Sequence, residues 1–503
     1  MSMAEDPRSG ARGRRGKVRP APRTLKTALA ALALLAAGFP ASGAAQEPES
    51  DEITVPLGEV VERLATAADP DEAYALYLPS TYDAERAWPA LFVMDPRGRA
   101  PSALAVFRAG AESAGWIVVS AYGTRSDEPE DPNSGVLNAL FTDVQARFNV
   151  DPARLYLAGF SGTARAAWYF AAQLRGNVAG IIGVGAALPP GMTAFELAPP
   201  TDGGLDAPFA FFGGTGFHDF NYEEVRELEA QLALTGIPYW IETWDGPHSW
   251  PPNEVGTAAV EWLDLQWAIG NGDPLPGARA DAVARRASER AARFEREGEY
   301  LEAWRLVRDV VRTLGDVADV GEAGRLTDRL AGDPTLRSQQ DAADRLAGEQ
   351  RETETRMWEL LARFRQDPGA LDPDRVREAL DLDRLLARAG DEDPRIAAAA
   401  RRTIASLAGQ FSFYQPREWA RSGDFERARA ALEIAALIEP GSPRVCYQRA
   451  IVEAGAGRVD AAVEALECAV SAAPGLAEAA RAEPLLEPIR DDPRVRSLLA
   501  PPR

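Results

Sequence analysis

Only two histidines occur in 503 residues, and one of them, His248, lies in the loop-like stretch "TWDGPHSWPP". Histidine is the side chain that titrates near neutrality, so it is the first candidate for a base. Far upstream, "RLYLAGFSGTARAAW" hangs Ser161 between Phe160 and Gly162, where an apolar run meets a helical one. A serine hydroxyl is a poor nucleophile unless a base takes its proton and an acid orients that base. Asp219 in "PFAFFGGTGFHDFNYEEV" follows the strand before the one that leads to His248, and is the candidate acid. Asp245 is the reserve. It precedes His248 by three residues on the same loop and is worse placed to orient the ring. His218 adjoins Asp219 and reads as a pocket or surface residue.

The surroundings of Ser161 fit a strand-to-helix corner. Gly159-Phe160-Ser161-Gly162-Thr163 follows the G-x-S-x-G pattern, with Thr163 in the last place. Small neighbours permit a strained turn that thrusts the hydroxyl out of the sheet's end, though a threonine should let helix and strand pack less closely. Acyl transfer also needs two N–H donors aimed at the developing oxyanion. One is the N–H of Gly162. The other should come from Asp95-Pro96-Arg97-Gly98, after the strand "ALFVM". Pro96 has no N–H, so the backbone of Arg97 is the expected donor. Its guanidinium reads as a solvated loop charge, with a polar acyl group as the other option.

These residues need a scaffold, and residues 51–268 describe one. "AYALYLPSTY", "WPALFVM", "WIVVSAYG", "RLYLAGFS", "NVAGIIGVGAA", "PFAFFGGTG" and "PYWIETWDG" read as strands. Helical stretches such as "SALAVFRAGAESAG" and "EEVRELEAQLALTG" separate several of them. This alternation predicts an α/β domain with a mostly parallel sheet covered on both faces. "GNGDPLPGAR" interrupts it, and a domain boundary is placed there. Residues 46–270 form the expected first domain and 279–503 a helical second one. The first should fold without 279–503.

In the helical part, "GDFERARAALEIAALIEPG" (423–441) matches "GRVDAAVEALECAVSAAPG" (457–475) at an offset of 34 residues. A weaker copy starts at Gly298. The period and its small residues resemble tetratricopeptide repeats, clearest over 409–475. Generic helical hairpins are the alternative. Cys446 and Cys468 fall on opposite helices of the last hairpin. A disulfide is conceivable there, but two small core hydrophobes is the preferred reading.

Residues 72–262 resemble the α/β-hydrolase superfamily, nearest to esterases of the polyhydroxybutyrate-depolymerase and feruloyl-esterase type. The stretches that carry this are "YLPSTYDAERAWPALFVMD", "GWIVVSAYG", "VDPARLYLAGFSGTARAAW" and "GIPYWIETWDGPHSWP". The order Ser161, Asp219, His248 is the order of that superfamily. The resemblance implies a nucleophile at Ser161, an acid at Asp219, a base at His248 and a carboxylic ester substrate, small or polymeric. The chain departs from it at Asp95-Pro96, where the family usually has His-Gly, and at Thr163. A peptidase, or a hydrolase-like binding scaffold with little activity, is the alternative.

Composition closes off other classes. A net charge of −21 disfavours nucleic acid and anionic membranes as partners. Two cysteines cannot build a disulfide scaffold or a cysteine zinc site, and no histidine or carboxylate spacing suggests a metal. No cofactor is implied. The first 45 residues carry a basic stretch (Arg8 to Lys26), then "ALAALALLAAGF", then small residues at Gly43 and Ala45. That is the layout of an export signal, so a periplasmic or secreted location is expected, with a retained anchor as the alternative. The helical repeats would bind a protein partner or cap the site.

Overall fold

The computed structural model describes residues 15–17, 54–128, 130–174, 176–197, 209–273, 277–367 and 372–500. The expected export signal lies almost wholly outside these residues. The chain divides into two compact units, one ending at Gln339 and the other beginning at Gln340.

The first unit is built on eight strands: β1 (Val60–Ala65), β2 (Ala73–Tyr77), β3 (Trp88–Met94), β4 (Ile117–Ala121), β5 (Val150–Phe160), β6 (Gly180–Val184), β7 (Ala210–Gly216) and β8 (Tyr239–Trp244). They lie in the order β1-β2-β4-β3-β5-β6-β7-β8. From β4 to β8 every pairing is parallel, whereas β2 runs antiparallel to both β1 and β4. Every position of β2, β3, β4, β6, β7 and the edge strand β8 is buried. Helices cover both faces, which is why these strands read as continuous apolar runs rather than alternating ones.

Side-chain alternation splits the core in two. Leu91, Val93, Tyr156, Phe160, Phe212 and Trp240 point to one face. Ala90, Phe92, Leu155, Leu157, Phe211 and Ile241 point to the other. Helices α1 (Ala100–Ala114) and α6 (Asn253–Asn271) pack on the first face, and α2 (Asn133–Arg147), α3 (Gly162–Gln173) and α5 (Tyr222–Leu232) on the second. A one-turn helix, α4 (Ala194–Leu197), lies between β6 and β7.

The boundary expected at 270–279 is not where the first unit ends. Three more helices belong to it: α7 (Gly277–Arg296), α8 (Tyr300–Leu314) and α9 (Gly321–Ala331). Ala287, Ala291, Leu306, Val307, Val310, Leu326 and Leu330 share one apolar cluster with Trp240 and Trp262. Burying a Leu or Val side chain contributes about 1.5–3 kcal/mol, so this face holds much of the unit together. A fully enclosed ion pair reinforces it. Glu242 on β8 accepts from Arg290 Nε and Nη2 on α7, both at 2.9 Å, and the two residues are 3% and 8% exposed. Glu302 on α8 accepts from Thr243 Oγ1 at 2.5 Å and from Tyr222 at 3.1 Å. Arg312 donates to the Tyr239 carbonyl at 2.6 Å. A first domain cut at 270 would therefore expose an apolar face and strand a buried carboxylate.

Helix α10 (Pro334–Gln366) carries the chain past Gln340. The second unit then runs through α11 (Pro373–Ala379), α12 (Leu382–Arg388), α13 (Pro394–Gly409), α14 (Gln415–Arg421), α15 (Phe425–Ile438), α16 (Pro443–Gly455) and α17 (Val459–Ala472), with short helical turns after it. The matched stretches fall on α15 and α17. Each helix follows a left-handed glycine, Gly423 (φ 82°) and Gly457 (φ 73°), where a side chain would be strained. The matching pairs Ala428 and Ala462, Leu432 and Leu466, and Ala435 and Ala469 are all buried. The weaker copy is α8, after Gly298 (φ 84°), with Ala303, Val307 and Val310 buried. It stands in the first unit. Cys446 and Cys468 are joined in a disulfide with their Cα atoms 5.9 Å apart, which overturns the reading of two separate core hydrophobes. Among the described residues, no helix is long and apolar enough to cross a membrane.

Candidate active site

Ser161 stands at the end of β5 with φ 56° and ψ −127°, a conformation that costs a non-glycine residue about 1–3 kcal/mol. The surroundings hold it there. Its N–H donates to Val184 O at 2.8 Å, and its carbonyl accepts from Ala164 N–H at 3.0 Å. A Cβ on Gly159 would stand 2.2 Å from the Thr163 carbonyl, and one on Gly162 2.4 Å from Ser126 Cβ. Both glycines are thus required by space.

Thr163 does not loosen the corner as expected. It is fully buried, and its Oγ1 donates toward Met94 O (2.7 Å) and Phe160 O (2.8 Å) while accepting from Phe160 N–H (3.1 Å). The hydroxyl ties the ends of β3 and β5 to the first turn of α3.

The loop after β8 carries His248 to the serine. Its Nε2 lies 2.9 Å from Ser161 Oγ and its Nδ1 2.8 Å from Asp219 Oδ1. With Nδ1–H donating to the carboxylate, Nε2 is left to accept from the serine hydroxyl. The imidazole sits between two rings, with centroids 4.5 Å from Phe160 and 4.3 Å from Phe220. Asp219 is wholly buried. Its Oδ1 also accepts from Asn221 N–H at 2.8 Å, while Oδ2 has no hydrogen-bond partner among the described residues. Gly185 (φ 63°) leaves room for this arrangement, since a Cβ there would lie 3.0 Å from Asp219 Oδ2 and 3.2 Å from His248 Cε1. The reserve acid Asp245 is elsewhere. It is exposed and faces His218 Nε2 at 3.4 Å.

Four residues after the serine, Arg165 makes a two-pronged pair with Glu224 at 2.9 and 2.8 Å. Glu224 also accepts from Ala187 N–H at 3.0 Å. Burial pushes the Glu224 carboxyl above its ordinary range, with Arg165 pulling the other way. The pair joins α3, α5 and the turn after β6.

The two expected oxyanion donors divide. Gly162 N–H has no partner among the described residues. Arg97 does not serve as expected, because its N–H donates to Asp95 Oδ1 at 2.9 Å. The same carboxylate accepts from Arg99 N–H (3.1 Å), the Arg99 guanidinium (3.0 and 2.8 Å) and Trp250 Nε1 (2.8 Å). Burial alone would raise the Asp95 carboxyl, but the Arg99 and Trp250 bonds outweigh it and hold it below its usual range. The Arg97 side chain is exposed.

Sequence reasoning missed Asn221, Gly185, Phe220 and Trp250. Trp250, two residues after His248, was the most findable, as an aromatic beside a catalytic-type loop. Among the described residues, no group of three or more His, Cys, Asp or Glu could hold a metal ion.

No protein-family model matches the chain, and no curated protein matches it. Similar solved structures include a ferulic acid esterase, 15% identical, covering 41% of this chain and 96% of that one with a TM-score of 0.32. A thermostable esterase is 18% identical over 42% of this chain and 63% of its own (TM-score 0.30). Est1E from Butyrivibrio proteoclasticus is 15% identical over 41% and 99% (TM-score 0.31).

Proposed function

We propose that the chain is a serine hydrolase acting on carboxylic esters, its first unit an α/β-hydrolase. The observation that carries this is the unbroken chain of contacts from Asp219 through His248 to Ser161, beside an unspent N–H at Gly162. Ser161 Oγ attacks the acyl carbon as its proton passes to His248 Nε2. The imidazolium is stabilised by Asp219 and gives that proton to the departing alcohol oxygen as the C–O bond breaks. Water, deprotonated by the same ring, then hydrolyses the acyl-enzyme and returns the serine. The Gly162 N–H, a fixed donor, lowers the barrier by holding the oxyanion in each tetrahedral state.

The chain is further proposed to be exported by its first 45 residues. The Cys446–Cys468 disulfide supports this, because such bonds persist in oxidising compartments. The α15–α17 helices are proposed as tetratricopeptide-like repeats that bind a protein partner.

The test is hydrolysis of p-nitrophenyl esters of graded acyl length, together with labelling by a fluorophosphonate. The wild type should turn over and be labelled, and Ser161→Ala should do neither. A wild type that fails both would leave the binding-scaffold reading.

A further inference from the structure

The site as described has one oxyanion donor where acyl transfer uses two. The loop after β3 cannot supply the second, since Pro96 has no N–H and Asp95 has taken those of Arg97 and Arg99. Gly98 N–H is spent on Asp95 O at 3.0 Å.

A side chain with a donor stands against Gly162. Ser126, on the loop after β4, donates its N–H to Pro96 O at 3.1 Å, which fixes it against the 95–99 loop. Its side chain abuts the first residue of α3. A Cβ on Gly162 would come within 2.8 Å of Ser126 Oγ. The Ser126 hydroxyl therefore lies beside Gly162, the residue whose N–H has no partner among the described residues. In the resting site it donates to Asp127 Oδ2 at 3.0 Å. Asp127 is exposed and takes a left-handed backbone (φ 65°), so water can replace that bond at little cost. A hydroxyl turns about a single bond to reach a new acceptor.

We propose that Ser126 Oγ–H is the second oxyanion donor, joining Gly162 N–H on the tetrahedral anion. This rests on the hydrolase reading of Ser161. It adds a catalytic residue, a side-chain donor in place of a backbone one, and no bond is made or broken by Ser126.

The experiment uses the full chain with p-nitrophenyl esters, a fluorophosphonate probe and an alkyl boronic acid, which forms a tetrahedral anion on the serine. Losing one such donor costs about 10²- to 10³-fold in kcat. Ser126→Ala should fall by that factor with KM nearly unchanged, and its boronate affinity should drop in parallel. Ser126→Cys keeps the shape with a weaker donor and should fall between. Wild-type kcat and boronate affinity in a folded Ser126→Ala would overturn the proposal, as would a loss confined to KM. Should Ser126→Ala not fold, Ser126→Cys decides alone, and wild-type kcat in it refutes the role. A wild type that neither turns over nor labels would instead refute the parent reading.

Discussion

Replacing Arg290 by Met should cripple the first unit through a residue outside the expected first domain. The substitution keeps much of the side-chain volume but leaves the Glu242 carboxylate, 3% exposed, without its cation. Breaking a buried pair from one side costs about 3–5 kcal/mol, and each 1.4 kcal/mol is about tenfold in an equilibrium constant. Urea unfolding of the full chain, followed by tryptophan fluorescence, reads this directly, because Trp240 and Trp244 flank Glu242 on β8. The loss should also depend on pH. Burial already pushes the Glu242 carboxyl up against the pull of Arg290, and without Arg290 it rises further. An acid whose folded value is raised adds stability below its unfolded value, about 4.3, and forfeits it as pH rises toward the folded value. The variant should therefore approach wild type near pH 4 and fall away from it toward pH 8. Glu242→Leu combined with Arg290→Met removes the stranded charge and should recover most of the loss. A loss under about 1 kcal/mol at pH 7, or one that does not change with pH, would refute the claim that α7 is integral to the sheet-bearing unit.

Gly185→Ala puts a methyl against Phe160, Asp219 and His248 at positive φ. It should cut kcat about 10- to 100-fold while far-ultraviolet circular dichroism stays unchanged. Asp95→Asn weakens the bonds from Arg97, Arg99 and Trp250 and should cost about 2 kcal/mol at pH 7. Because the Asp95 carboxyl is held low, its contribution is present above about 3.9 and lost as pH falls through the folded value. The gap between wild type and variant should then narrow as pH falls below about 3.9, as thermal melts at pH 3 and 7 would show. Cys468→Ser opens a bridge that spans 22 residues. It should destabilise the second unit by about 3 kcal/mol, seen as an earlier transition in urea.

The buried strands were legible because a strand covered on both faces is an uninterrupted apolar run. Strand β1, "VVERLA", was not, since it is a half-exposed edge and carries Glu62 and Arg63. The proposed triad could be listed from the sequence because Ser161 stands at a strand-to-helix corner, while Asp219 and His248 stand just after strands. The Arg97 donor was missed for a local reason: its N–H turns back onto the Asp95 carboxylate two residues upstream, an Asx-type turn that the sequence reading did not weigh. Arg99 holds the same oxygen, and Trp250, 155 residues away, adds a bond to the other one. The role of α7–α9 was hidden for a different, non-local reason. An alanine-rich amphipathic helix announces a buried face but not what lies against it, and the partner of Arg290 is a glutamate 48 residues upstream. Cys446 and Cys468 read better as packing residues until the hairpin sets their Cα atoms 5.9 Å apart.

Thr163 carries a lesson for anyone reshaping this protein. A designer who restores the commoner glycine at the fifth place of the corner would call it a repair. Here it would cut a three-way knot. Met94 O would lose a donor inside the core, Phe160 N–H would lose its acceptor, and the serine's strained backbone would rest on its bonds to Val184 and Ala164 alone. The residue that looks like a blemish in the pattern is the clasp that makes the pattern hold, so substitutions borrowed from other chains at this corner should be judged by what the hydroxyl is tied to.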